Sequence, residues 1–213
     1  MSARTIQHCD KLREMLPDEV RTHLDGMLNG EFTGGDAEIL YHHLPDELRG
    51  RILLCLPHWN PPLELLRECI RHFWKDGHHV ILEAAGFSLE RVREMFRQAR
   101  FPLPRGIPPV VPVWRGTAGR TLQEACEGLC WTLDRDAACW FATDYEGRNA
   151  GKPIVVRASI RSDQILFFDQ NDGLHEKEVI LDRINDGEID PGTEFEWQER
   201  ARQFIEKRKQ AGE

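Results

Sequence analysis

Three short pieces of this chain carry residue types that could act together on a phosphorylated sugar. Val111-Pro-Val-Trp-Arg-Gly116 sets an arginine and a glycine at the end of an apolar run. A guanidinium there offers a planar fork of donors that suits phosphate or ribose oxygens, and Gly116 lets a ligand approach the backbone closely. Cys130-Trp-Thr132 sets a thiol and a hydroxyl on either side of a tryptophan. On a strand the first and third residues share a face, leaving Trp131 for the core behind. Glu176-Lys-Glu178 sets two carboxylates about 7 Å apart on one face of a regular strand. Such a pair can stabilise a sugar cation and address an incoming nucleophile. Each piece also has a plainer reading. An arginine at a strand end pairs with a surface acid, and a Glu-Lys-Glu run blunts an exposed sheet edge.

These pieces need a scaffold, and the pattern supplies two regimes. Residues 1–104 read as successive helices. Leu12, Met15, Leu16 and Val20 have helical spacing interrupted by Pro17, and Val20, Leu24, Met27 and Leu28 continue it. Leu44-Pro-Asp-Glu47 starts a helix that Asn60-Pro-Pro62 stops. Leu63 to Trp74 forms a strongly apolar helix ended by Asp76-Gly77, and Ser88 opens another that runs to Arg100. The proline-rich stretch 101–109 is the hinge. Beyond it come short apolar runs: a strand at Val110–Trp114, helices at Thr121–Leu129 and Asp134–Ala142, and strands at Pro153–Ile160, Ile165–Phe168 and Glu176–Leu181. An amphipathic tail helix covers Phe195–Lys209. The expected division is 1–104 as a helical region, 105–185 as a sheet domain and 186–213 as the tail.

Composition narrows the partners. The net charge is −8, and neither half is basic: 13 basic against 16 acidic residues over 1–104, then 15 against 20. A phosphate-tracking surface for nucleic acid is therefore not expected. The first residues lack a secretory h-region and no stretch is long and apolar enough for a bilayer, so the reading is cytoplasmic, with signal-free delivery into another cell compatible with it. Six cysteines (Cys9, Cys55, Cys69, Cys126, Cys130, Cys139) lack a C-x-x-C pair and read as free, mostly buried thiols. The doublets His42-His43 and His78-His79 point apart on a helix, and no metal is expected. His175 reads as an exposed loop residue. Arg93, Arg97 and Arg100 read as a solvated helix face.

In order and spacing, the three pieces resemble the signature of arginine-type ADP-ribosyltransferases. Residues 110–181 are similar to a compact bacterial or phage-type mono-ADP-ribosyltransferase domain, most clearly over Gly128-Leu-Cys-Trp-Thr-Leu-Asp-Arg-Asp-Ala-Ala-Cys-Trp-Phe-Ala142. The fold the resemblance implies is α+β: a helical N-terminal region followed by a split β-sheet domain. The activity it implies is transfer of ADP-ribose from NAD, a consumed substrate, to a protein side chain, arginine in this class, with release of nicotinamide. Arg115, Gly116, Cys130, Thr132 and Phe141 are then the NAD-binding residues. Arg115, Glu176 and Glu178 are the catalytic set, with Glu178 stabilising the cation and Glu176 facing the acceptor. The implied partners are NAD, a protein acceptor and a partner or inhibitor protein on the helical half, in the setting of a toxin or effector. The family's second motif begins with Ser where this chain has Cys130, a weaker donor. The residues leave open water, a nucleic acid or a small molecule as acceptor, and a non-catalytic binding module that keeps the fold.

Overall fold

The computed structural model describes residues 3–33, 35–144, 151–169 and 176–211; His175 lies outside them. The chain divides between Arg100 and Phe101 into two compact units, and the tail belongs to the second of them.

The first unit is helical: α1 Ala3–Glu14, α2 Asp18–Leu28, α3 Asp36–His43, α4 Asp46–Cys55, a 3-10 turn at Leu56–Trp59, α5 Leu63–Ala84 and α6 Leu89–Ala99. Pro17, Pro45 and Pro62 stand immediately before α2, α4 and α5, each in extended backbone and each followed by acids in the first turn. Proline cannot continue the preceding helix, and the acids meet the positive end of the next. Leu24, Leu53, Leu65, Ile70 and Phe96 fill the core. The break expected at Asp76-Gly77 is present: Gly77 leaves helical geometry at φ −138° and kinks α5 there, and a second helical stretch with buried Ile81 runs on to Ala84. The expected solvated arginine face is corrected at Arg93, while Arg100 is exposed. Arg93 is buried, Arg97 pairs with Glu90 and Glu94, and Arg100 caps α6 in the left-handed region.

A second correction concerns the cysteines. Cys9 of α1 and Cys55 of α4 form a disulfide, with Cα atoms 5.4 Å apart. They are 46 residues apart in sequence, a separation that no spacing rule signals. Cys69, Cys126, Cys130 and Cys139 are free thiols.

The second unit holds β1 Val110–Ala118, α7 Leu122–Cys126, β2 Cys130–Thr132, α8 Arg135–Thr143, β3 Pro153–Arg161, a 3-10 turn at Ser162–Gln164, β4 Ile165–Phe168, β5 Glu178–Leu181, β6 Glu188–Ile189 and α9 Glu194–Ala211. The strands form one six-stranded antiparallel sheet, in the order β4-β5-β2-β1-β3-β6. The chain is therefore α+β. β1 and β3 pair along their full length, from Val110↔Arg161 to Ala118↔Pro153. β1 and β2 meet at one registered pair, Trp114↔Thr132. Val111, Val113, Trp131, Val156, Val179 and Leu181 make the larger core on one face. On the other, Ala138, Cys139 and Ala142 of α8 pack with Val155, Trp114 and Trp197. Asp134 caps α8, accepting from the backbone of Asp136 at 2.8 Å.

α9 is locked to α8. Buried Asp190 accepts from Arg135 and from the Trp197 indole at 3.2 Å, and Asp136 receives Arg200 at 2.8 Å and Lys207 at 3.0 Å. Burial opposes ionisation of Asp190, but Arg135, the Gly192 amide and Trp197 outweigh it and hold the carboxyl below its ordinary value. Asp136 is lowered too, Arg200 and Lys207 outweighing its burial. An aspartate with a depressed folded pKa stabilises above its unfolded value and loses that contribution as pH falls through the folded one.

Two outcomes check this description. Thiol titration of the unreduced, denatured chain yields four thiols, and six after reduction; Cys9→Ser lowers stability by about 4 kcal/mol in chemical denaturation. Stability of the second unit, measured from pH 6 to pH 3, declines below about pH 4, the ordinary aspartate value. Asp190→Asn costs about 3 kcal/mol at pH 7 and flattens that slope.

Candidate functional site

The register of β2 on β5 builds the centre of the site. Thr132 lies opposite Glu178 and Cys130 opposite Ile180, so Cys130 and Glu178 are diagonal neighbours on one face. The Glu178 carboxylate acts on the Cys130 thiol and favours its protonated form. Burial pushes this thiol well above its ordinary pKa. The Glu178 charge adds to the rise, and Arg115 works against it. Cys130 is thus a neutral donor, not a nucleophilic thiolate.

Arg115 lies where β1 and β2 part. Its Nη1 donates to the Cys130 carbonyl, and its guanidinium lies against the bare Cα of Gly128. A Cβ at Gly128 would overlap that guanidinium. Nε is enclosed, with no hydrogen-bond partner among the described residues. Burial lowers the Arg115 pKa, while Cys130 and the Glu178 charge oppose that change. A cation, a thiol donor and a carboxylate are therefore gathered in one half-buried cluster, although Arg115 and Glu178 come from separate strands.

The other expected residues are placed differently. Gly116 does permit a close backbone approach, and what approaches is α8: a Cβ there would overlap the Ala138 carbonyl and crowd the Ala142 amide. Thr132 is buried, its hydroxyl donating to the Glu176 carbonyl and accepting from the Asp134 amide at 2.9 Å. It pins the segment entering β5. Phe141 stands half-buried on α8 with its ring 4.9 Å from that of Trp140.

Glu176 does not belong to β5, which begins at Glu178. Between them Lys177 has φ 48°, in the left-handed region, so the two carboxylates do not share a face by strand alternation. Lys177 is held there by its carbonyl, which accepts from the Leu133 amide at 3.1 Å, and by its ammonium, 3.8 Å from Asp134. The Glu176 carboxylate instead faces α9, where Arg208 lies 3.8 Å away.

Gly128, Lys177, Trp140 and Arg208 complete the surroundings, and sequence reasoning assigned them no part in the site. Phe204 and Arg208 stand four apart and share a helix face, but no sequence signal says that this face meets Trp140. A groove of about 420 Å³ lined by Arg135, Phe195, Glu199 and Gln203 contains none of the clustered residues. Among the described residues, no group of three or more His, Cys, Asp or Glu is placed to hold a metal, and no helix is long and apolar enough to cross a membrane.

The thiol state is directly measurable. At pH 8 iodoacetamide leaves Cys130 unmodified in the native chain, read by peptide mass spectrometry. Glu178→Gln removes a charge that raises the thiol and so increases alkylation at Cys130.

Protein-family models, curated proteins and solved structures yield no match to this chain.

Proposed function

We propose that the second unit is a mono-ADP-ribosyltransferase that moves ADP-ribose from NAD to a protein side chain, arginine being the acceptor. The observation that carries the reading is the register that sets Cys130 and Glu178 as diagonal neighbours on one face, with the half-buried Arg115 guanidinium donating to the Cys130 carbonyl. Cys130 takes the place that the resemblance gives to a serine, and lies diagonal to Glu178 on the same face. The thiol is the weaker donor.

In the proposed reaction the bond between the nicotinamide nitrogen and the ribose C1′ breaks, its electron pair leaving with neutral nicotinamide. Glu178 accepts a hydrogen bond from a ribose hydroxyl and stabilises the oxocarbenium-like cation, as in glycoside cleavage. The Arg115 cation favours the anionic side of the dinucleotide. Glu176 orients the acceptor guanidinium. Full deprotonation of that group at pH 7 would cost about 7–8 kcal/mol. Its proton therefore passes to Glu176 late, as the nitrogen bonds to C1′, and the products are the ribosylated guanidinium, nicotinamide and one released proton. A role as a toxin or effector is part of the proposal by analogy.

Nicotinamide release from NAD tests the reading. The wild type releases nicotinamide, Glu178→Gln lowers the rate by about 10³-fold, and Cys130→Ser keeps or raises it. A wild-type rate no higher than that of Glu178→Gln removes the enzymatic reading and leaves a binding module.

A further inference from the structure

The tail helix carries a guanidinium to the carboxylate that the proposed reaction reserves for the acceptor. Arg208 Nη1 is 3.8 Å from Glu176 Oε1, with the two side chains only 19% and 14% exposed. The Arg208 Cζ lies 5.1 Å from the Trp140 ring centre and 5.8 Å from that of Phe204. The two rings are themselves 5.6 Å apart, and Phe204 is buried. A carboxylate combined with aromatic faces suits a planar, delocalised cation better than an ammonium, which keeps its water more tightly.

Both sides of this arrangement are anchored from behind. Thr132 holds the Glu176 carbonyl, and the Lys177 ammonium faces Asp134. On α9, Lys207 and Arg200 grip Asp136. The carboxylate, the two rings and the guanidinium are thus brought together by three separate parts of the chain. We infer that Glu176, Trp140 and Phe204 form a guanidinium-binding subsite, which Arg208 fills as a built-in stand-in for the acceptor arginine. An external guanidinium must displace Arg208 to reach Glu176. The subsite is argued from geometry; its meaning as the acceptor site rests on the proposed transferase activity.

Calorimetric titration with agmatine, a small free guanidinium compound, tests this on the full chain. Arg208→Ala binds agmatine about tenfold more tightly than the wild type, equivalent to about 1.4 kcal/mol. Arg208→Lys, which keeps the charge and helps preserve the fold, shows a smaller gain. Adding Trp140→Leu or Glu176→Gln to Arg208→Ala abolishes the gain, and putrescine, an amine of similar length, shows none. Circular dichroism confirms that each variant is folded. Equal agmatine affinity in the wild type and in a folded Arg208→Ala overturns the subsite. In the transfer assay the KM for agmatine falls in the same proportion. Absence of nicotinamide release would remove the enzyme but leave a tightened, Trp140-dependent agmatine site standing. Intact release with unchanged agmatine affinity would remove the subsite and leave the enzyme.

Discussion

The second unit is organised around one enclosed cation. Arg115 sits where β1 and β2 separate after a single registered pair, and its guanidinium takes over the contact between them by donating to the Cys130 carbonyl. A buried guanidinium is costly unless hydrogen bonds and opposite charge surround it. Here the backbone carbonyl and the charge of Glu178 meet that demand. The same requirement explains Gly128, whose missing side chain makes room for the cation, and ties Cys130 and Glu178 to one corner of the sheet. Remove the guanidinium and three features lose their common cause.

Around that corner the structure is stiff. α8 lies so close to β1 at Gly116 that only hydrogen fits between them, and Ala138 and Ala142 keep the facing helix surface small. α9 is tied to α8 through Asp190 and Asp136, both on short links to cations. The tail is therefore part of the sheet unit, where the sequence pattern suggested a separate appendage.

Much of this was legible from the chain alone. Proline and acids at Leu44-Pro-Asp-Glu47 marked the start of α4, alternation marked β3, and an apolar run marked β4. The Ser88 and Asp134 caps marked the starts of α6 and α8. The chemistry-bearing residues of β1, β2 and β5 were named from type and order. What escaped notice was set by tertiary context. Met15, counted in the apolar stripe of the first helix, is 67% exposed, while Leu16 beside it is buried. Gly77 was read as a stop and does break the helix, but the stretch that resumes the buried face beyond it was not anticipated. The Cys9–Cys55 bridge depends on how α1 meets α4. The face that α9 offers to Glu176 depends on packing against Trp140, which no local pattern encodes.

The left-handed backbone at Lys177 separates the two acids in a way their sequence spacing conceals. Glu178 is fastened to a strand and shares its fate with the core, whereas Glu176 rides on the segment just ahead, gripped through its carbonyl. One turn of backbone thereby makes the pair independently adjustable. A change of backbone at Lys177 would redirect the outer carboxylate while the inner one stays in register.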